Sequence, residues 1–379
     1  MRSSRPRRIG IDARRMPSAG LGRYLREHLA RLPSEAPDFS FVAFAHPRDQ
    51  SALLSLSRNL EIREVRGAPS TPWGQAFLWQ SVRAAGLDLF HAPNLQLPFG
   101  LPCRTAVTVH DVLPVRFPAS DFEGWLFQKK IESIGKRADL IVTVSEAVAQ
   151  ELATRLHRPV ESIRVVPNGV ADAFAAPGSA DRSEIDVLIG RLGLQVPYGL
   201  NITNGSAAKG VDQLLSAMRR IRGLQMVMLG EGSDHPRVRE MVAAAGLGPE
   251  RVKLLGNVSE REMRMLYQRA RLAVVASRYE GFGLSAIEAM ACGVPLVATR
   301  TGGIPEVAGD AAILIDPDSA TALAEAVYRV AFEMDEGERA NLAERARSRA
   351  RRFSWQSAVR LTAASYRHVF AQEISDDSC

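Results

Sequence analysis

Short runs of aliphatic and β-branched residues alternate with helically spaced stretches along almost the whole chain, and few folds accept that rhythm. In the first half the runs are Ile9–Asp12, Phe41–Ala45, Leu60–Val65, Leu87–His91, Thr105–His110, Leu140–Val144 and Ile163–Val166. A second series follows at Gly199–Thr203, Gln225–Leu229, Val252–Leu255, Leu272–Ala276, Pro295–Thr299 and Ala312–Ile315. Helical spacing fills the gaps, for example at Gly22–Leu32, Gln75–Ala85, Asp121–Asp139, Glu146–Leu156, Val211–Ile221, Arg237–Ala245, Glu260–Ala270, Leu284–Ala291 and Ala320–Phe332. Alternation of this kind makes parallel sheets covered on both faces by helices. The expected fold is therefore α/β, with two Rossmann-like doubly wound domains. Residues 1–172 would form the first domain, 173–197 a Pro- and Gly-marked linker, 198–352 the second domain, and 353–379 a terminal helix and tail. Trp355, Val359, Ala363, Tyr366 and Phe370 lie at helical spacing in that last segment, which reads as a packing face. Ligands of open parallel sheets bind beyond the carboxyl ends of the strands. Two such domains would face each other across a cleft, and the residues just after the strands would line it.

Composition narrows the choice of partner. Of 379 residues, 46% are hydrophobic and 24% charged, enough for sizeable cores, and no window reaches the length of a membrane-spanning helix. The basic start, Met1 to Gly10, is not followed by an apolar stretch, so no secretory signal is expected. Cys103, Cys292 and Cys379 are far apart and suggest a reduced, cytoplasmic setting rather than a disulfide scaffold. Residues 1–170 hold 23 Lys and Arg against 16 Asp and Glu, a net +7 that leaves −1 for the remainder of a +6 chain. A basic half points to an anionic partner. The charges are scattered and lack interleaved aromatics, so nucleic acid is not the expected one. On Asp121–Asp139, Phe127, Ile131, Ile134 and Ala138 share a core-facing stripe, while Phe122 and Trp125 lie off it beside Lys129 and Lys130. That pattern suits contact with a membrane surface.

The stretch from Ser277 to Pro295, Ser-Arg-Tyr-Glu-Gly-Phe-Gly-Leu-Ser-Ala-Ile-Glu-Ala-Met-Ala-Cys-Gly-Val-Pro, follows a strand and runs into a short helix. Gly281 and Gly283 allow close backbone approach, and the amides of Phe282, Gly283 and Leu284 would open the helix toward an anion. Glu280 and Glu288 flank that anion site, where a carboxylate repels phosphate and must instead meet neutral hydroxyls. A ligand with phosphates between two sets of sugar hydroxyls is a nucleotide sugar.

Glu280-x7-Glu288 in this setting resembles the family-4 retaining glycosyltransferases of GT-B fold. The resemblance extends over nearly the full chain through Ser18-Ala-Gly-Leu-Gly-Arg-Tyr, Val109-His-Asp, Val166-Pro-Asn-Gly-Val, Ser206-Ala-Ala-Lys-Gly-Val-Asp and Thr301-Gly-Gly-Ile-Pro-Glu. Members involved in bacterial surface polysaccharides, mannosyltransferases among them, are the most similar. It implies that Glu288 holds the ribose and Glu280 the transferred sugar, that Lys209 meets the departing diphosphate, and that His110 orients the sugar. Asn204 stands where the family commonly has arginine, followed by Gly205, so the phosphate grip must differ. Gly20 and Gly22 either bring amides to the donor or acceptor or make a tight strand–helix turn; both readings can hold. Base contacts are expected around Gly256 to Val258. The terminal helix is expected to return to the first domain.

The resemblance implies a metal-independent enzyme with no cofactor, the nucleoside diphosphate sugar being substrate. Asp316-Pro-Asp318 imitates a metal motif but sits before a helix, where Asp and Ser are ordinary caps. Asp111 is either a general base or a turn cap. The expected reaction is retaining transfer of a hexose, with GDP-mannose the favoured donor and a saccharide or lipid-linked saccharide the acceptor. A GT-B epimerase and a non-catalytic nucleotide-sugar-binding subunit are the alternatives. Leucine at position 25, where a third glycine would stand, argues against a dinucleotide-dependent dehydrogenase.

Overall fold

Seven strands of the first unit pair in parallel: β1 (Arg7–Asp12), β2 (Phe39–Ala45), β3 (Leu60–Glu64), β4 (Leu89–Ala92), β5 (Arg104–Val109), β6 (Leu140–Thr143) and β7 (Ile163–Val165). Their order is β3-β2-β1-β4-β5-β6-β7. Six further strands, β8 (Tyr198–Ile202), β9 (Gln225–Leu229), β10 (Val252–Leu254), β11 (Leu272–Val275), β12 (Leu296–Thr299) and β13 (Ile313–Ile315), form a second parallel sheet ordered β10-β9-β8-β11-β12-β13. The computed structural model describes residues 5–175 and 181–376. The basic start at Met1–Ser4, Cys379 and the Pro177-Gly-Ser turn of the expected linker lie outside the described residues.

Each strand overlaps a run read from the sequence, because β4, β6, β11 and β12 are buried at every residue and are apolar but for His91, Thr143 and Thr299. Both sheets reverse strand order once, between β1 and β4 and between β8 and β11. At such a switch point the two following loops part in opposite directions and leave a crevice.

The first unit comprises residues 1–169 and 354–379, the second residues 170–353. In the first, helix Trp355–Asp376 lies on helix Ala19–Glu35. Arg360 and Gln356 reach Glu35 at 2.7 Å, and Arg367 forks onto Asp38 at 2.6 and 2.8 Å. Trp355 and Tyr366 fill the space beneath. In the second, Leu214, Met218, Met226, Met228, Val274 and Val297 belong to one core cluster between sheet and helices.

The segment expected to be a linker is not one throughout. Arg182–Leu192 forms a helix, capped by Asp181 and stopped by Gly193 in the left-handed region. Ile185, Leu188 and Ile189 bury one face of it. Its apolar residues are Ile185, Val187, Leu188, Ile189 and Leu192, and the exposed Val187 among them blurs the helical period. Helix Glu336–Ala350, opened by an Asp335/Glu338 capping box, also went unread in the sequence, its face being built largely of alanine.

Candidate functional site

In the second unit the crevice loops follow β8 and β11. After β8 the chain turns through Asn204 and Gly205 into a short 3-10 turn, Ala207–Lys209. Gly210 ends that turn at φ +60°, where a Cβ would fall inside the Ala276 carbonyl oxygen. This packing sets Lys209 beside the end of β11. The Lys209 Nζ donates to Glu280 Oε1 at 2.6 Å, and Ser277 Oγ donates to the same oxygen at 2.7 Å. The pair is largely shielded, with side-chain exposures of 21% and 13%.

Arg278 ties these loops together. Its amide donates to Ala208 O at 2.7 Å, and its guanidinium forks onto Asp212 at 2.6 and 2.7 Å and reaches Asp318 at 2.6 Å. Asp318 is thus occupied as an ion-pair partner, in keeping with the structural reading of Asp316-Pro-Asp318. Among the described residues no cluster of three or more His, Cys, Asp or Glu could hold a metal.

Glu280 is held from a third side. Gly303 N donates to Glu280 O at 3.0 Å, and Gly302 at φ +49° lets that carbonyl in where a side chain could not. Thr301 Oγ1 donates to Arg278 O at 2.9 Å, so the whole loop after β12 lies along residues 278–282. Gly283 is the N-cap of helix Leu284–Ala291 at φ +100°, its carbonyl accepting from Ala286 N and Ile287 N at 3.0 and 3.1 Å. Among the described residues the amides of Phe282, Gly283 and Leu284 have no protein acceptor, as the start of a helix requires. Phe282 is buried edge-on against Phe353 at 5.8 Å, Leu284 is half-buried, and Glu288 is buried within the helix.

The Asn204 side chain turns into its own loop, Oδ1 accepting from Ser206 N at 3.1 Å, while Gly205 N donates to Thr203 Oγ1 at 3.1 Å. Gly205 at φ +71° packs near Val238, and a Cβ at Gly232 would come 2.9 Å from Asn204 O. The loop Gly230–Ser233 was not singled out by sequence reasoning, although two glycines directly after a strand were a signal. It bridges the loops after β8 and β10: Gly230 N donates to Gly256 O at 2.9 Å and Gly256 N to Ser233 Oγ at 3.1 Å. Val258 is half-buried just beyond, next to the Ser259 cap.

His110, in the first unit, directly follows β5. Its Nε2 lies 3.2 Å from Pro93 O. A carbonyl only accepts, so Nε2 carries the hydrogen and Nδ1 presents a lone pair. Burial pushes its pKa down to about 4, so the ring is neutral at pH 7. Asp111 Oδ1 accepts from Leu113 N at 2.9 Å, as a turn cap does. Gly20 and Gly22 lie inside helix Ala19–Glu35 rather than in a loop before it. Gly20 is exposed, whereas a Cβ on Gly22 would collide with the Met16 carbonyl, which makes the tight turn a sufficient reason for Gly22. Sequence reasoning did not find Arg14, whose guanidinium forks onto Asp12 at 2.8 and 2.9 Å and donates to Gly74 O at 2.7 Å, wholly buried at the end of β1. No local pattern announces such a pair.

Two parallel sheets of seven and six strands, each covered by helices and each reversing strand order once, are the architecture of the GT-B class of glycosyltransferases. Residues 18–174 match Glycosyltransferase Family 4 and residues 195–349 match Glycosyl transferases group 1. The chain belongs to this family, the GT4/group 1 glycosyltransferases. It is 35% identical over 64% of its length to the D-inositol 3-phosphate glycosyltransferase of Xylanimonas cellulosilytica, spanning 58% of that relative. The enzyme of the same name from Salinispora tropica is 31% identical over 90% of this chain and 80% of its own. O-antigen chain mannosyltransferase B of Escherichia coli is 28% identical over 74% of each chain. Among solved structures, Anabaena HepE in complex with UDP-glucose superposes with a TM-score of 0.75 at 19% identity, covering 97% of this chain and 99% of that one.

Proposed function

We propose that this protein is a retaining glycosyltransferase that moves a hexose from a nucleoside diphosphate sugar to a saccharide or lipid-linked saccharide in surface polysaccharide synthesis. The observation that carries the reading is the shielded Lys209–Glu280 contact at the β8/β11 switch point, beside the amides of Phe282, Gly283 and Leu284. Lys209 and those amides neutralise the diphosphate as it leaves, and Glu280 and Glu288 take hydroxyls of the sugar and the ribose. Glu280 Oε1 already receives Lys209 and Ser277, so Oε2 is the oxygen assigned to the sugar. His110 accepts from a sugar hydroxyl through Nδ1. In front-face transfer the bond from the anomeric carbon to the phosphate oxygen breaks, the acceptor oxygen bonds to that carbon on the same face, and its proton passes to the departing phosphate. The protein's contribution is position and charge neutralisation.

The donor proposed is GDP-mannose, supported by the mannosyltransferase relative; the UDP-glucose bound to HepE makes UDP sugars the competing choice. Melting curves with GDP, UDP, ADP and dTDP decide it, since a nucleotide at one hundred times its dissociation constant adds about 2.7 kcal/mol. The largest shift is expected with GDP. A product with inverted anomeric configuration in NMR, or no stabilisation by any nucleotide, sinks the reading. Binding without transfer would favour a nucleotide-sugar-binding subunit, for which the inward-turned Asn204 is the supporting observation.

The proposed workplace is the inner membrane face. No described helix is long and apolar enough to cross a membrane. On helix Asp121–Arg137, however, Phe122 and Trp125 stack at 5.9 Å, 68% and 56% exposed, while Ile131 and Ile134 face the core. Lys129 and Lys130 stand exposed on the same helix. Replacing Phe122 and Trp125 by serine is expected to weaken sedimentation with phosphatidylglycerol vesicles by about tenfold. Unchanged binding removes this part of the proposal.

A further inference from the structure

We propose that Tyr24 is a positioning residue for His110, locked by buried hydrogen bonds that end on the C-terminal helix. This rests on the reading of His110 as a sugar-facing group. Thr108 and His110, two residues apart, project from the same face of their strand. Tyr24 touches both: its hydroxyl lies 3.2 Å from Thr108 Oγ1, and its ring meets His110 edge-on, with centroids 4.8 Å apart at 82°. Among the described residues the His110 ring hydrogen-bonds to Pro93 O alone, which leaves the plane free to swing about that axis. The Tyr24 edge closes the swing.

Tyr24 is itself clamped from two directions. Thr108 Oγ1 lies 2.8 Å from His91 Nε2, and His91 Nδ1 lies 2.6 Å from the Tyr366 hydroxyl on helix Trp355–Asp376. On the other side His28 stacks under the Tyr24 ring at 3.9 Å and 30°. His28 Nδ1 sits 2.9 Å from the Tyr24 carbonyl, so it must donate, and Nε2 lies 3.2 Å from Thr362 Oγ1 of the same terminal helix, whose hydroxyl donates to Ala358 O at 2.9 Å. All six side chains are more than nine-tenths buried. Burial drives the pKa of His28 and His91 down to about 3, so both remain neutral hydrogen-bonding groups. An apolar core would hold these helices together equally well; a polar chain of fixed geometry selects one arrangement.

The test compares Tyr24→Leu with Tyr24→Phe in the full chain. Tyr24→Leu is expected to lower kcat by about ten- to a hundredfold, the scale of a small misplacement, with nucleotide Kd unchanged. Tyr24→Phe gives up the 3.2 Å Thr108 contact but keeps the ring edge and the His28 stack, and should restore kcat to within about threefold of wild type. NMR relaxation of the His110 ring Cδ2–H at pH 7 supplies a second readout that needs no substrate: an ordered ring in wild type and in Tyr24→Phe, a mobile one in Tyr24→Leu. The proposal is overturned if the His110 ring stays ordered in Tyr24→Leu, or if kcat and melting temperature fall together while Kd rises. Should wild type itself transfer no sugar, the transferase reading fails, and the ring relaxation still decides the role of Tyr24.

Discussion

Glu280→Gln and Lys209→Ala are each expected to lower kcat by about 10²- to 10³-fold, the usual effect of removing one preorganised group at a developing charge. Glu280 and Lys209 hold one another at 2.6 Å, and both emerge from loops pinned by Gly210, Gly302 and Arg278. Neither side chain supports a core, so melting temperature should change little. The two effects should not multiply: once Glu280 is neutral, Lys209 has lost the partner that aims it, and the double variant should be little worse than the poorer single one. Nucleotide affinity separates the roles. Lys209→Ala weakens GDP binding because the diphosphate loses a cation, whereas Glu280→Gln weakens it less because the cation stays and only its aim is lost. Wild-type turnover in either variant would remove the site from the β8/β11 crevice.

Gly210→Ala is the most disruptive small change expected. The residue sits at φ +60°, where an L side chain costs about 1–2 kcal/mol. A Cβ there also overlaps the Ala276 carbonyl oxygen, which is backbone and cannot rotate away. Overpacking of this kind adds about 1–3 kcal/mol. A total of about 2–5 kcal/mol lowers the melting temperature by roughly 4–20 °C for a unit of this size. Unlike Gly22, whose neighbour is a turn of the first unit, Gly210 also sets Lys209, so activity should fall more steeply than stability. A melting temperature within two degrees of wild type, the scale of about 1 kcal/mol or less, would show that the loop yields where its geometry says it cannot.

Much of the fold is legible in the chain itself because the signal is local. A strand buried on both faces is largely apolar, so Leu140–Thr143 and Leu272–Val275 declare themselves without reference to any other part of the molecule. Glycines at the start of a helix, as in Gly281-Phe-Gly283, mark a close backbone approach for the same reason. Helix Arg182–Leu192 escaped because only Ile185, Leu188 and Ile189 carry its face, and Gly and Pro around it argued for a linker.

Strand order, ion pairs and carbonyl contacts have no local signature. That Ser277 and Lys209 meet on one oxygen of Glu280, that Asp318 is spent on Arg278, and that Arg14 closes on Asp12 beneath Gly74 follow from parallel strands bringing distant loops to one sheet edge. The amino-acid order by itself determined which segments are strands, which loops follow them and which unusual residues those loops carry. Only the tertiary structure decided which of those residues touch, because a hydrogen bond between residues 71 positions apart depends on strand order, and strand order is settled by the packing of the whole sheet.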